Sequence, residues 1–324
     1  MDFVTYSRNV FIPLTNACRN RCAYCGFRSS NPFLLTPPEV RARLSSAETA
    51  IEALFTFGEK PEAHTEVLAK LRELGFTDFV SYIVEMNKMA ISMGFLPHTN
   101  AGILTKEEIK KLRPFNASLG LMLEQAVELD CHSKSPGKRP EVRIKTIKEA
   151  GKQSIPFTTG LLIGIGESPQ DRAYGLEVIN DLHLNYGHIQ EVIIQNFRPK
   201  KGTEMESHSP PTISEMLEVV TEARKILCDD ITVQIPPNLV EDIHPFIKAG
   251  ARDIGGISET DYINPEHKFP SIKEINNYTN NEFMLKERLP IYPQYIARGW
   301  YSREISGLID SLSDKEGYRC SSNT

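Results

Sequence analysis

The sequence of 324 residues predicts a (β/α)8 barrel of the TIM type with a C-terminal cap. Three observations carry that reading. Eight short apolar runs alternate with longer amphipathic stretches, helix-start signals stand at many of the junctions, and polar residues gather just after the runs, where parallel α/β folds assemble their sites. An open doubly wound sheet is the architecture that shares these features.

In chain order the strand candidates are Val10 to Thr15, Ala50 to Phe57, Phe95 to Asn100, Ala117 to Leu123, Pro156 to Ile165, Gln190 to Phe197, Ile231 to Pro236 and Ala251 to Ser258. Their apolar runs are those of strands covered on both faces. Three cysteines follow the first candidate and Gly58-Glu59 the second; His98 and Asn100 end the third. Glu124 follows the fourth, Gly166-Glu167 the fifth, and Asn196 and Arg198 close the sixth. Helices are expected to open where a threonine and a glutamate three residues later cap each other's backbone donors: Thr36 with Glu39, Thr105 with Glu108, Thr212 with Glu215. In the first of these, Pro37 stands where a missing N–H is harmless. After Thr212, the residues Ile213, Met216, Leu217, Val220, Ala223, Ile226 and Leu227 recur at the spacing of one buried helical face. Towards the C-terminus the alternation gives way to aromatic and polar segments. This places the barrel in residues 1–270 and a packed extension in 271–324, with fraying expected after Ser313.

The composition is that of a globular protein, 40% hydrophobic and 24% charged with a net charge of −5. Basic pairs such as Lys200-Lys201 are short and isolated, which argues against nucleic-acid binding. No window of about 18 apolar residues appears, which argues against a membrane partner, and the first ten residues carry no signal-peptide pattern. Cys131, Cys228 and Cys320 are solitary, the usage of a reducing compartment, so a cytoplasmic setting is expected. These three are read as packing or surface thiols.

The other three cysteines lie in CRNRCAYC, Cys18 to Cys25. Beside Arg19, Asn20 and Arg21 they make poor core material. A structural zinc would need a fourth ligand, and only Cys131 or a histidine is at hand, with no second CxxC or HxxxH to supply it. A 4Fe–4S cluster held by three thiolates would leave one iron open.

This C-x3-C-x2-C spacing, with Tyr24 just before the last cysteine, resembles the signature of the radical S-adenosylmethionine enzymes. The resemblance implies a barrel of the radical-SAM kind in which Cys18, Cys22 and Cys25 hold a 4Fe–4S cluster and the open iron binds S-adenosyl-L-methionine. One electron from an external reductant would then yield a 5′-deoxyadenosyl radical, which takes a hydrogen atom from a small-molecule substrate. Cofactor contacts are implied at Tyr24, and at Gly58 and Glu59, whose segment resembles the motif that receives the methionyl amino group. Further contacts are implied at Glu124, near the ribose or amino group, and at Ile163 and Gly164 in GLLIGIGE, which resembles the segment along which adenine packs.

Longer stretches, YSRNVFIPLTNACRNRCAYCGF, FGEKPE, PHTNAGIL, QNFRPKKGTEM and GGISETDYINPE, resemble the cyclising subunit of the 7,8-didemethyl-8-hydroxy-5-deazariboflavin synthase family over nearly the whole chain. That resemblance implies a carbon–nitrogen lyase of coenzyme F420 biosynthesis. Its substrate would be the tyrosine–ribitylaminouracil adduct, 5-amino-5-(4-hydroxybenzyl)-6-(D-ribitylimino)-5,6-dihydrouracil, supplied by a partner radical-SAM subunit and cyclised to the deazaflavin with loss of ammonia. A uracil, a ribityl chain and a phenol call for hydrogen-bonding groups around an aromatic slot. The candidate contacts are His98, Asn100, Asn196, Arg198, Asp261 and Asn264, and no catalytic residue is singled out. The sequence departs from the family pattern in EHKFPSI, where Lys268 and Phe269 stand in place of a proline-tryptophan pair. The condensing partner and a menaquinone-pathway homologue share the cysteine spacing and differ in the substrate segments. Biotin synthase needs more cluster cysteines than Cys131 and Cys228 supply. A non-catalytic iron–sulfur carrier would coordinate every iron and have no use for the strand-end Gly-Glu pairs.

Overall fold

The computed structural model describes residues 3–278 and 282–320. Its strands are β1 (Phe3–Ile12), β2 (Glu52–Thr56), β3 (Leu96–Asn100), β4 (Ser118–Gly120), β5 (Phe157–Ile163), β6 (Ile189–Asn196), β7 (Thr232–Gln234), β8 (Asp253–Ile257) and β9 (Met284–Glu287). The first eight pair in parallel and in order, and β1 pairs with both β2 and β8, closing the barrel. That closure rules out the open doubly wound sheet. All eight expected strands are present: β2, β3, β4, β5, β7 and β8 have shorter bounds, β6 is shifted by one residue, and β1 is longer and starts earlier. Two features were not foreseen: β1 begins near the N-terminus, and β9 pairs with its first half, Phe3 to Tyr6, below the point where β2 takes over.

Helices α1 (Pro37–Ser45), α2 (Thr65–Glu73), α3 (Phe79–Ser92), α4 (Lys106–Leu112), α5 (Pro140–Lys152), α6 (Pro169–Tyr186), α7 (Ile213–Ile226) and α8 (His244–Lys248) connect the strands. The expected boxes at Thr36, Thr105 and Thr212 open α1, α4 and α7. On α7 the buried residues are Met216, Val219, Val220 and Ala223, while Ile213 is 54% exposed. The expected apolar stripe therefore stops short of Ile213, which occupies the helix's first position, where the packed face has ended.

Side chains alternate along each strand, and the alternation sorts the chemistry. Outward-facing Ala53, Phe55, Val192, Ile194 and Val233 join the helices in the main hydrophobic core. Inward-facing Glu52, Leu54 and Thr56 on β2, and Glu191, Ile193 and Gln195 on β6, line a central cavity instead. Most barrels fill this space with layers of branched apolar side chains. Here charged and amide side chains such as Glu52, Glu191 and Gln195 stand among the apolar ones.

After β8 come α9 (Ile272–Tyr278), α10 (Pro293–Ala297) and α11 (Arg303–Leu312). Leu289, Ile291, Tyr295, Ile305 and Ile309 pack against Ile51, Leu96 and Ala117, which stand at the starts of β2, β3 and β4. The extension therefore seals the end of the barrel opposite the mouth. Beyond Ser313 the chain stays hydrogen-bonded rather than frayed: Asp314 donates to the Tyr318 carbonyl at 2.7 Å and Cys320 to that of Leu312 at 2.8 Å. Residues 321–324 of that tail lie outside the described residues.

Candidate active site

The loop after β1 is tied to its neighbours mainly through backbone donors. The Gly58 N–H donates to Thr15 O (3.1 Å), the Arg19 N–H to Glu59 O (3.0 Å) and the Ala23 N–H to Cys131 O (2.9 Å). A Cβ on Gly58 would stand 1.9 Å from Ala17 O, so only glycine lets the β2 turn approach the cysteine loop this closely. Two of the sulfurs are already hydrogen-bond acceptors. Cys18 Sγ receives the Glu59 N–H at 3.2 Å, and Cys22 Sγ the Ser135 hydroxyl at 3.4 Å. Burial pushes both thiols up from their ordinary value. Cys18, Cys22 and Cys25 line one cavity of about 430 Å³.

Behind the sulfurs lies a ladder of charge. Glu59 pairs with Arg19 (3.0 Å) and Arg143 (3.5 Å), and Arg143 reaches on to Glu124 at 3.9 Å while Lys138 also binds Glu124. Burial would raise the pKa of Glu59, but Arg143, the Ile103 N–H and Arg19 hold it below the usual carboxylate range. Glu124 is held low in the same way, against its burial, by Lys138 and Arg143. Three cations thus face two carboxylates, a balance that favours an incoming anion. Glu124 adopts φ +66°, a left-handed conformation uncommon for a non-glycine residue, and bridges to Leu161 on β5. The Tyr24 hydroxyl meets His132 Nε2 at 2.9 Å, and burial lowers His132 to about 4, so it is neutral at physiological pH.

Tyr24, Gly58, Glu59, Glu124, His98, Asn100, Asp261 and Asn264 all line the cavity together with the three cysteines. Four other expected residues are placed elsewhere. Asn196 and Arg198 lie outside the cavity lining and donate to Leu239 O, at 2.8 Å and, from Arg198 Nε, 3.2 Å. The reason is parity: on β6 the inward positions are Glu191, Ile193 and Gln195, so the strand's last asparagine faces out. Ile163 is buried in the main core and Gly164 turns at φ +93°, its N–H held by the Glu167 carboxylate at 2.7 Å. From that segment it is Leu162 that borders the cavity. Asp261 caps the N–H groups of Ile263 (2.8 Å) and Asn264 (2.9 Å), shaping a loop whose Phe269 also faces the cavity. Cys131, read as a packing thiol, is buried with Tyr24, Leu162 and Phe197.

The residues that sequence reasoning missed lie deeper. Ser7, Asn9, Glu52, Glu191, Gln234 and Arg288 line the inner end of the cavity. Arg288, from the extension, donates to Asp253 (2.6 and 3.0 Å) and Glu191 (3.2 Å). Burial pushes Glu191 up to about 8 in spite of Arg288. His98 Nδ1 meets the Ser118 hydroxyl at 2.6 Å, and that hydroxyl bonds Pro290 O at 2.5 Å. For Glu52 and Gln234 a signal was present, a single charged or amide residue inside an apolar strand run.

The fold and the thiol-lined mouth define a radical S-adenosylmethionine enzyme, and residues 12–177 match the family model described as the radical SAM superfamily. The fold is shared with methylornithine synthase (TM-score 0.67, 18% identity, 92% of this chain and 86% of that one). It is shared also with the FeFe-hydrogenase maturase HydG from Carboxydothermus hydrogenoformans (0.66, 17%, 97% and 74%). Within the superfamily the chain belongs to the 7,8-didemethyl-8-hydroxy-5-deazariboflavin synthases. It is 60% identical to the Archaeoglobus fulgidus protein of that name over 98% of this chain and 99% of the relative. The Methanococcoides burtonii protein is 52% identical over 98% of each.

The family's cofactors are a 4Fe–4S cluster and S-adenosyl-L-methionine, and its enzymes use a small-molecule substrate and a reductant. The donor set fits. Three soft thiols face one space, two of them already receive the hydrogen bonds that tune iron–sulfur clusters, and the surrounding charge is net positive. Among the described residues no three His, Cys, Asp or Glu side chains converge closely enough for a single metal ion. No helix among them is long and apolar enough to cross a membrane.

Proposed function

We propose that this chain cyclises the tyrosine–ribitylaminouracil adduct to 7,8-didemethyl-8-hydroxy-5-deazariboflavin with release of ammonia, receiving the adduct from a partner radical-SAM subunit in the cytoplasm. The observation that carries the reading is a single cavity with thiols at its mouth and buried charged and amide side chains set into its deeper wall, in a chain most of whose length is shared with synthases of that name. In this reading Cys18, Cys22 and Cys25 ligate the cluster, and Gly58, Glu59, Glu124 and Tyr24 border the S-adenosyl-L-methionine. When bound, the cluster and S-adenosyl-L-methionine supply a 5′-deoxyadenosyl radical that abstracts hydrogen. The cations Arg143 and Lys138 orient the carboxylates Glu59 and Glu124, whose lowered pKa values keep them charged to meet a cationic amine and ribose hydroxyls. Residues 1–270 form the working barrel and 271–324 its closing extension. His98, Asn100, Asp261 and Asn264 contact the substrate, and the Asp261 loop with Phe269 shields it from water.

The reading is tested by reconstituting the protein anaerobically, reducing it, and adding S-adenosyl-L-methionine with the adduct. Fluorescent deazaflavin and ammonia are expected in equal amounts. Cleavage of S-adenosyl-L-methionine without deazaflavin would refute the assigned substrate and leave the radical class standing.

A further inference from the structure

The inner end of the cavity is a built site whose role the reading above leaves open. Its side chains are almost wholly removed from solvent: Ser7 is 1% exposed, Glu52 5%, Asn9 6% and Glu191 4%. Asn9 and Glu52 are register partners on β1 and β2, and Thr158 and Glu191 on β5 and β6, so each pair stands side by side facing inwards. An irregularity in the ladder enriches this level. A register shift between β5 and β6 puts the consecutive residues Gln190 and Glu191 both on the cavity. Asn9 Oδ1 is fully buried with no hydrogen-bond partner, an acceptor left waiting in a cavity wall. Ser7 donates to Glu52 Oε2 at 2.7 Å, and Thr158 to Glu191 Oε2 at 3.1 Å.

We infer that this floor binds a polyhydroxylated alkyl chain, the ribityl arm of the substrate, with Asn9, Glu52 and Glu191 as the specificity-determining contacts. The inference rests on the proposed adduct as substrate. Three arguments carry it. First, Glu52 opens β2 while Gly58-Glu59 follows its end, so the floor lies about 13 Å below the strand ends at about 3.3 Å per residue. The floor is therefore out of reach of the thiol loop and suits a part of the substrate that does not react.

Second, the partners on offer select hydroxyls. A uracil edge presents one N–H between two carbonyl oxygens, and a phenol has one O–H; neither satisfies an amide oxygen and two carboxyls together. A chain of vicinal hydroxyls brings a donor on each carbon. Third, burial raises both Glu52 and Glu191 from the ordinary carboxyl value, so each can stand as acceptor or as protonated donor. A hydroxyl serves either state, whereas a fixed amide edge does not.

The test uses the reconstituted, cluster-loaded protein under anaerobic conditions and isothermal titration calorimetry. Two ligands are compared: 5-amino-6-(D-ribitylamino)uracil and its 6-methylamino analogue, which keeps the uracil and lacks the polyol. The wild type is expected to prefer the ribityl compound by roughly tenfold or more. Glu52→Gln should shrink that preference several-fold while leaving the affinity for the methylamino compound in place. If Glu52→Gln does not fold, as judged by its thermal transition, Asn9→Ala is read in the same way. Equal affinity of the wild type for both ligands overturns the inference, as does a variant that weakens both alike. Either result leaves deazaflavin formation untouched, whereas failure to convert the intact adduct would overturn the substrate reading itself.

Discussion

Replacing Arg288 by methionine removes the cation that the C-terminal extension inserts into the barrel. Arg288 is 3% exposed, makes two hydrogen bonds to Asp253 and one to Glu191, and lies 4.4 Å from the centre of the Tyr292 ring. Methionine keeps much of the volume, so the loss is electrostatic. Removing one partner of a buried ion pair, here that of Arg288 with Asp253, costs about 3–5 kcal/mol. An unfolding entropy near 2.1 cal/mol/K per residue gives about 0.7 kcal/mol/K for this chain, so the thermal midpoint should fall by about 4–7 °C. Differential scanning calorimetry at pH 7 reads the shift. A midpoint within about 1 °C of wild type at pH 7 would refute the view that this arginine neutralises the floor.

Three further outcomes are expected. Cys22→Ala should lose cluster iron and the visible absorbance of the cluster while its far-ultraviolet circular dichroism stays that of the wild type; a full iron complement would show the ligand assignment wrong. Gly58→Ala drives a methyl into the Ala17 carbonyl, so it should lower iron loading at least as severely as loss of a single ligand, and normal loading would contradict the tight approach of the two loops. Glu191 has a folded pKa of about 8, above its unfolded value. The native state therefore holds the proton more tightly, and stability falls as pH rises from about 4.5 towards 8 at up to about 1.4 kcal/mol per unit. Glu191→Gln should flatten that decline in denaturant titrations across the window, and an unchanged slope would place the proton elsewhere.

The barrel was legible because its outward strand residues and helix faces obey simple periods, and because Thr36, Thr105 and Thr212 mark helix starts chemically. The mouth was legible because its residues are local in sequence: Cys18, Cys22 and Cys25 share one loop, and Gly58-Glu59 and Glu124 follow strands directly. Parity along a strand was the finer rule that the reading lacked. Counting by twos from Glu191 reaches Gln195 and passes over Asn196, and counting from Thr158 reaches Leu162 and passes over Ile163. The floor was hidden for another reason. Arg288 comes from a segment far along the chain, and its partners Asp253 and Glu191 sit inside runs that look apolar, so only the closed fold brings them together. The bulge that turns both Gln190 and Glu191 inwards likewise has no local signature.

In the proposed reaction a radical generated at the thiol-lined mouth takes hydrogen from the adduct held beneath it. The direct measurement incubates reduced, cluster-loaded protein with S-adenosyl-L-methionine and adduct deuterated at all its carbon-bound positions, then analyses the 5′-deoxyadenosine by mass spectrometry. Deuterium is expected in the 5′-deoxyadenosine, in step with deazaflavin formation. Unlabelled 5′-deoxyadenosine alongside deazaflavin would contradict it.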